Sequence, residues 1–158
     1  MTTNVIEIRQ LTKDYGNNRG IFDVSLSVKK GEVFGFLGPI GAGKSTTIRH
    51  LMGFIQADQG SCQINGLDYL RDHARIQQTV GYLPGEIAFM DDMTGLEFIK
   101  FMAKMKGMTD LTKAYELMER FALNPQGKLQ KMSKGMQQTV GIICAFLHDT
   151  DLLILAAP

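Results

Sequence analysis

The chain has 158 residues, a formal net charge of +1, and 44% hydrophobic and 21% charged residues. This length predicts about one domain, on a scale of roughly 150 residues each, and the composition is typical of a soluble globular protein. The balanced charge gives no basic surface for nucleic acid. The longest apolar stretch, residues 140–147, is too short for a membrane span of about 20 residues, and the N-terminus has no signal-peptide pattern. We therefore expect any work at a membrane to require a partner protein.

The first half of the chain predicts strands and turns. Residues 21–28 carry Phe22, Val24, Leu26 and Val28 at alternate positions, which is typical of a half-buried antiparallel strand. Asn65-Gly66 predicts a turn after a short strand. The predicted strands span residues 5–11, 21–28, 32–37, 60–64 and 80–83, and the predicted helices span residues 44–54 and 72–78.

The second half predicts helices and one last strand. Thr94-Gly95-Leu96-Glu97 is a capping-box sequence, which predicts a helix from there to about Met105. Its expected inward residues are Leu96, Ile99, Phe101, Met102 and Met105. Two more helices are predicted over 110–121 and from just after Ser133 through Leu147. The apolar run Leu152–Leu155 is typical of a central parallel strand buried on both faces.

The sulfur-containing residues predict packing before chemistry. Cys62 and Cys144 have no metal-ligand spacing, so we expect buried free thiols, with a disulfide as the second alternative. Most of the ten methionines lie between Met90 and Met136. Core packing in a small helical subdomain explains this cluster, and some of it could instead form a surface that docks another protein.

One loop carries the strongest functional signal. The sequence from Gly38 to Thr46, GPIGAGKST, fits the phosphate-binding pattern G-x-x-x-x-G-K-[ST] between a predicted strand and a predicted helix. Such a loop aims backbone N–H groups at phosphate oxygens, Lys44 adds a positive charge, and the Ser45 hydroxyl can ligate Mg²⁺. An incidental glycine-rich turn is disfavoured by the flanking elements. The expected nucleotide-binding residues are Gly38, Gly41, Ala42, Gly43, Lys44, Ser45 and Thr46.

With this loop and the motifs that follow it, all 158 residues resemble the ATP-binding subunit of an ABC transporter. The resemblance implies an α/β fold of the P-loop NTPase type, with an N-terminal antiparallel β subdomain, a parallel core sheet that is incomplete here, and a helical subdomain. It implies one ATP-binding domain over 1–158, C-terminally incomplete. Within it, residues 1–85 form the β and phosphate-loop core, 86–147 the helical subdomain and 148–158 the last strand.

The resemblance also assigns residues outside the loop. Tyr15 stands where the family has an aromatic residue that stacks on adenine, although an ordinary tyrosine at a strand end would look the same. The family's signature Leu-Ser-Gly-Gly-Gln appears altered as Met132-Ser133-Lys134-Gly135-Met136, which implies that Ser133, Lys134, Gly135 and Met136 meet the γ-phosphate held by an opposite protomer. This motif disfavours another phosphate-loop enzyme such as a kinase.

Two family positions hold residues that lack the expected chemistry. Gly85 stands where a glutamine senses Mg²⁺, and the neighbouring Glu86 is expected to be a solvated loop carboxylate. Ala156 and Ala157 stand where an aspartate and a glutamate hold the Mg²⁺ shell and polarise the attacking water. Introduced substitutions and natural degeneration would each produce such a pair. The family is an ATP hydrolase, but no catalytic acid is retained and we expect no turnover.

Nearby titratable residues do not replace these acids. Asp151 lies at the opposite end of the predicted strand, about 16 Å away at roughly 3.3 Å per residue. The three histidines, His50, His73 and His148, precede that strand and match no family histidine, so surface or helix-end roles are expected for them.

The resemblance implies ATP and Mg²⁺ as cofactors, with Ser45 as the metal ligand. It implies a homodimer or paired cassette, a transmembrane permease subunit as partner, and a cytoplasmic location at the inner face of the membrane through that partner. The forms Leu83-Pro84-Gly85-Glu86 and Ser133-Lys134-Gly135-Met136 resemble bacterial exporters of antibiotics and peptides. The alternative function is a non-catalytic, degenerate cassette that serves as an interaction module for a membrane subunit.

Overall fold

A computed structural model describes residues 2–89 and 92–156, and the chain divides into two compact units, residues 1–78 and 79–158. The first unit contains a four-stranded antiparallel sheet of order β2-β1-β3-β4 and two helices. Its elements are β1 (Asn4–Asp14), β2 (Gly20–Lys29), α1 (Lys44–Leu51), β3 (Gln59–Ile64), β4 (Leu67–Asp68) and α2 (His73–Thr79). The α/β fold class is confirmed, as are the three antiparallel strands predicted over 5–11, 21–28 and 60–64.

The pairing of β1 with β2 corrects one detail of the predicted alternation. Ile8 lies opposite Leu26, but the register shifts twice before Lys13 meets Ile21. Asp23 has a φ of 51° within this irregular stretch. A bulge of this kind turns the side chains that follow it to the other face. Ile21 is therefore buried, whereas Phe22, predicted to face inward, is exposed.

The predicted strand over residues 32–37 is wrong in the described structure. Residues 32–39 have no regular secondary structure, and Val33 is 100% exposed. An apolar run becomes a buried strand only when neighbouring strands accept and donate its backbone hydrogen bonds. Within the described residues, neither sheet includes this segment. It nevertheless leads into the glycine-rich loop and α1, as the sequence predicts.

The second unit contains three α-helices, a short 3-10 helix and two parallel strands in its described part. Its elements are β5 (Val80–Leu83), α3 (Gly95–Met105), α4 (Thr112–Arg120), the 3-10 helix (Leu129–Lys131), α5 (Lys134–Ala145) and β6 (Leu152–Leu155). The predicted capping box of α3 is confirmed. The Glu97 amide donates to Thr94 Oγ1 at 3.1 Å, and the Thr94 amide donates to the Glu97 carboxylate at 2.9 Å.

The three helices of the second unit bury a common apolar core. Its buried members are Phe98, Ile99, Ala103, Ala114, Met118, Leu123, Leu129, Met132, Val140, Ile143, Cys144 and Leu147. Ile99 and Ala103 are one helical turn apart, so they define the inward face of α3. Met105 lies off that face and is exposed, contrary to the prediction. Met118 and Met132 lie in the core, as expected for much of the methionine cluster.

The parallel pair β5–β6 is predicted correctly in position but not in burial. Val80 to Leu83 pair in register with Leu152 to Leu155. Ile154 is buried, but Leu153 is 36% exposed and Leu155 is 55% exposed. The run was predicted to be buried on both faces, and within the described residues β6 pairs with β5 alone. Leu153 and Leu155 are therefore exposed on a strand with an unpaired edge in the described structure, where extended chains readily associate.

Candidate phosphate-binding site

Two glycines shape the loop that precedes α1. Gly41 has a φ of 87° and Gly43 a φ of 91°, in the left-handed region that favours glycine. Gly43 is also the N-cap of α1, and a Cβ built on it would lie 2.4 Å from Ile21 Cγ2. A Cβ built on Gly41 would meet nothing within 4 Å. At position 41, glycine is required by the backbone conformation alone. At position 43, it is required both by the backbone conformation and by the close packing on β2.

Lys44 lies across the loop. Its Nζ donates to the carbonyl oxygen of Gly38 and, at 3.0 Å, to that of Pro39. The ammonium group is therefore held over the loop backbone by neutral acceptors, which a phosphate oxygen could replace with a charge-assisted hydrogen bond. The loop is further closed by the Ala42 amide, which donates to the Pro39 carbonyl at 3.1 Å.

The N-terminus of α1 has the properties of an anion site. Its first backbone N–H groups have no intrahelical acceptor, and no side chain caps them. Ser45 is exposed at this end, and Thr46 is partly buried. A helix N-terminus with free N–H groups and a nearby lysine suits phosphate oxygens. The residues present therefore fit the triphosphate of a nucleotide. The exposed Ser45 hydroxyl is suited to coordinate Mg²⁺.

Two polar residues on the buried face of α1 were not predicted as part of this site. Thr47 Oγ1 donates to the Gly43 carbonyl at 2.9 Å, and His50 Nδ1 lies 2.7 Å from the Thr46 carbonyl. Both side chains are buried, and His50 is 0% exposed. The expectation of a surface role for His50 is wrong, although it does lie in the last turn of α1. The i, i+3 spacing of Thr47 and His50 on the face that also holds Leu51 could have indicated this.

Tyr15 follows β1 directly and is 54% exposed. Lys13 Nζ lies 5.8 Å from the centroid of its ring and forms a 3.1 Å ion pair with Asp58. The Asp14 amide and then Lys13 hold the pKa of the Asp58 carboxyl below its usual range. Lys13, two residues before Tyr15, pairs with Ile21, and Gly43 of the loop packs on Ile21. Tyr15 and the loop therefore lie at the same end of the β1–β2 pair.

The signature-like residues lie at the start of α5 in the second unit. Ser133 is its N-cap, and its hydroxyl accepts a hydrogen bond from the Met136 amide at 3.2 Å. Ser133, Lys134, Gly135 and Met136 are all exposed. Gln137 was not singled out from the sequence, yet its side-chain amide donates to the Leu129 carbonyl at 2.9 Å and ties α5 to the 3-10 helix. The exposed cap leaves these four residues accessible to a ligand.

The parallel pair brings two of the altered family positions together. The Ala156 amide donates to the Leu83 carbonyl at 2.9 Å, so Ala156 lies beside the end of β5, where Gly85 follows. Asp151 precedes the other end of β6, as predicted. Glu86 is exposed, as expected of a loop carboxylate. Ala157 lies outside the described residues. The side chains of Gly85 and Ala156 supply no ligand for a metal or a water molecule.

The remaining chemistry-bearing residues are buried or scattered. Both cysteines are free and buried, as predicted, and burial raises the pKa of each thiol to about 12. Across residues 2–89 and 92–156, no three His, Cys, Asp or Glu side chains form a group that could hold a metal ion. The described helices are also too short or too polar to cross a bilayer.

The sequence from residue 21 to residue 158 matches the ABC transporter family. The chain is 35% identical over 159 residues to a linearmycin resistance ATP-binding protein of Bacillus subtilis, covering 98% of this chain and 51% of that relative. It is 34% identical over 158 residues to a bacitracin transport ATP-binding protein of Bacillus licheniformis, covering 99% of this chain and 52% of that relative. The chain thus spans about half the length of these relatives.

Solved structures agree with the family match. An ATP-binding subunit of an ABC transporter is 29% identical, with a TM-score of 0.86 over 96% of this chain and 65% of that chain. A bacterial ABC transporter cassette, solved as a dimer, is 21% identical, with a TM-score of 0.81 over 95% of this chain and 72% of that chain. The second match speaks for the fold alone. Because the family match covers most of its length, this chain belongs to the ABC transporter family.

Proposed function

We propose that this chain is the ATP-binding part of an ABC transporter and that it binds MgATP through the loop from Gly38 to Thr46. The observation that carries this proposal is the joint geometry of the loop and α1. Gly41 and Gly43 adopt the left-handed conformation, Lys44 lies over the loop, and the helix N-terminus has no side-chain cap. Backbone donors at a helix N-terminus together with one cation suit the binding of a phosphate group, which supports the proposal.

The rest of the nucleotide has a place in this arrangement. Adenine stacks on Tyr15, which is exposed at the same end of the β1–β2 pair as the loop. Mg²⁺ is held by Ser45 and the phosphates, since magnesium sites commonly combine one or two protein ligands with phosphate oxygens and water. We propose the same division as from the sequence, within one ATP-binding domain. Residues 1–85 form the β and phosphate-loop core, 86–147 the helical subdomain and 148–158 the last strand.

Two copies are proposed to pair head to tail. The exposed cap of α5, from Ser133 to Met136, then covers the phosphates bound by the opposite copy. A cap hydroxyl and the first amides of a helix suit this contact with a γ-phosphate. The relatives named for linearmycin resistance and bacitracin transport favour export of an antibiotic or peptide through a permease subunit. This chain would bind that subunit at the cytoplasmic face of the membrane.

Isothermal titration calorimetry with millimolar MgATP tests the nucleotide site. We expect saturable heat for the unmodified chain, a large loss of affinity in Lys44→Ala, and no change in the control Lys30→Ala, which removes an exposed lysine from the turn after β2. Identical isotherms for the unmodified chain and Lys44→Ala would end the proposal, because charge-assisted contacts to phosphate cannot be lost without cost.

Turnover is proposed to be absent, because methyl groups stand where the magnesium-shell and water-polarising carboxylates are needed. Phosphate release from this chain is expected at background, and release from the variant Ala156→Asp with Ala157→Glu is expected to rise well above it. Equal release from both proteins would contradict this.

A second candidate function is an interaction module that docks a membrane subunit without chemistry. It is favoured by the exposed apolar side chains of Met105 on α3, Tyr115 on α4 and Phe121, which follows α4. It predicts that a permease subunit co-purifies with Lys44→Ala as well as with the unmodified chain, with or without MgATP.

A further inference from the structure

His50 lies in the last turn of α1, and its side chain is fully buried. One of its two ring nitrogens has no hydrogen-bond partner. Its Nδ1 lies 2.7 Å from the Thr46 carbonyl oxygen. Because a carbonyl oxygen only accepts, Nδ1 carries the proton, and Nε2 is left as a bare acceptor in the neutral ring. Nε2 is buried and has no hydrogen-bond partner. A second proton on this ring would therefore stand in the interior with no group to receive its hydrogen bond.

The groups around the ring also disfavour a positive charge. Burial is the largest influence and lowers the pKa of His50, while the hydrogen bond to the Thr46 carbonyl raises it. From β1, the ammonium of Lys13 lowers this pKa further, and from the segment before β3 the carboxylate of Asp58 raises it. Those two charges are already paired at 3.1 Å.

Two neutral groups, Tyr69 and Gln77, also lie near the end of α1, and the titratable His73 of α2 lies beside Gly53. After β4, the ring of Tyr69 lies 6.1 Å from the His50 ring, and its hydroxyl accepts a hydrogen bond from the Ala57 amide at 2.9 Å. From α2, the Gln77 side-chain amide donates to the Met52 carbonyl at 3.1 Å. Neither Tyr69 nor Gln77 brings a negative charge to the imidazolium.

We propose that His50 is a positioning residue that makes the docking of α1, and with it the phosphate-binding loop, sensitive to protons. The neutral ring donates a hydrogen bond to the Thr46 carbonyl in the first turn of α1. The neighbouring Thr47 hydroxyl donates to the carbonyl of Gly43 in the loop. Protonation of Nε2 favours a state in which α1 lifts from the sheet and the ring meets water. The inference rests on the proposed nucleotide site for its effect on MgATP, but not for its effect on α1 itself.

The sign and size of the effect follow from linkage. An exposed histidine has a pKa near 6.5, and the docked one is lower, so the open state binds more protons as the pH falls below 6.5. If the docked ring stays neutral throughout, lowering the pH from 7.5 to 5.5 raises the open-to-docked ratio by up to about tenfold. MgATP that binds only the docked state would oppose this opening.

Amide hydrogen exchange of residues 47–52 measures the opening, after correction for the intrinsic pH dependence of exchange. We expect protection of these amides to fall by up to about tenfold between pH 7.5 and 5.5 in the unmodified chain. We expect a flat profile in His50→Asn, whose side-chain amide retains a donor near Nδ1 but does not titrate. Should His50→Asn fold poorly, His50→Phe keeps the ring volume without titration. His73→Asn removes the exposed histidine that lies beside Gly53, so it tests whether His73 contributes to the fall, and we expect this variant to keep the fall.

The affinity for MgATP, measured by calorimetry at both pH values, is expected to drop several-fold more in the unmodified chain than in His50→Asn. The titration of ATP itself is common to both proteins and cancels. Equal protection profiles for the two proteins would overturn the proposal, as would an NMR titration of the His50 Cε1 proton at the pH of a free histidine. If MgATP binds neither protein at pH 7.5, the nucleotide proposal fails, and the exchange profiles still decide the role of His50.

Discussion

Gly43→Ala offers a quantitative test of how the phosphate-binding loop is seated on the sheet. Gly41 and Gly43 have nearly the same backbone conformation, with φ values of 87° and 91°. They differ in their surroundings. An added Cβ at 43 would lie 2.4 Å from Ile21 Cγ2, whereas one at 41 would point into open space. Gly41→Ala is therefore a matched control that shares the backbone cost but not the steric clash.

The two costs can be separated. A non-glycine residue in the left-handed region costs about 1–2 kcal/mol. Overpacking a buried contact costs a further 1–3 kcal/mol, roughly, since Ile21 is buried in the sheet and has little room to move. We therefore expect Gly41→Ala to lower the free energy of unfolding by about 1–2 kcal/mol and Gly43→Ala by about 2–5 kcal/mol. The stiffening of the unfolded chain by alanine is the same in both and cancels in the difference.

Urea unfolding followed by circular dichroism measures both free energies, and an unchanged m-value confirms that the unfolding transition is comparable. Small domains have about 5–15 kcal/mol of stability, so a loss near 5 kcal/mol in Gly43→Ala would leave a protein at the low end of this range largely unfolded without urea. If the two variants differ by less than about 0.5 kcal/mol, the contact between the loop and Ile21 does not hold Gly43 in place, and the reasoning is refuted.

Three further predictions concern the protein as a whole. Thr94→Ala should lower the free energy of unfolding by about 1 kcal/mol, because it removes the capping hydroxyl of α3, whereas the exposed Thr109→Ala should change it little. Ile143→Ala should cost about 2–5 kcal/mol in urea unfolding, since Ile143 is 0% exposed in the helical core, and a smaller loss would indicate that the cavity collapses. Cys62 and Cys144, with thiol pKa values raised to about 12 by burial, should react with a thiol reagent at pH 8 only after urea is added, and rapid labelling of the native protein would contradict their burial.

The features predicted well from the sequence are those encoded within a few consecutive residues. The capping box from Thr94 to Glu97 is satisfied by side chains and amides three positions apart, so the sequence alone determines it. The glycine-lysine-serine spacing of the phosphate-binding loop is equally local, because the left-handed backbone at Gly41 requires glycine without any distant contact. The family resemblance drew on the same local motifs.

Burial and strand pairing depended on distant residues. Phe22 is exposed because the register of β1 with β2 shifts near Asp23, and residues 32–39 remain irregular because a strand exists only through its neighbours. The spacing of His50 on the face of Leu51 indicates which way its ring points, but its complete burial also depends on residues far along the chain, such as Tyr69.

The sequence by itself therefore determined the chemistry of the phosphate-binding loop and the start of α3, through short-range hydrogen bonds and backbone preferences. Only the tertiary structure decided which side of β2 and which residues of α1 meet the core. Burial arises from contacts between residues far apart in the chain, and a shift of one position in strand register exchanges the buried and exposed faces.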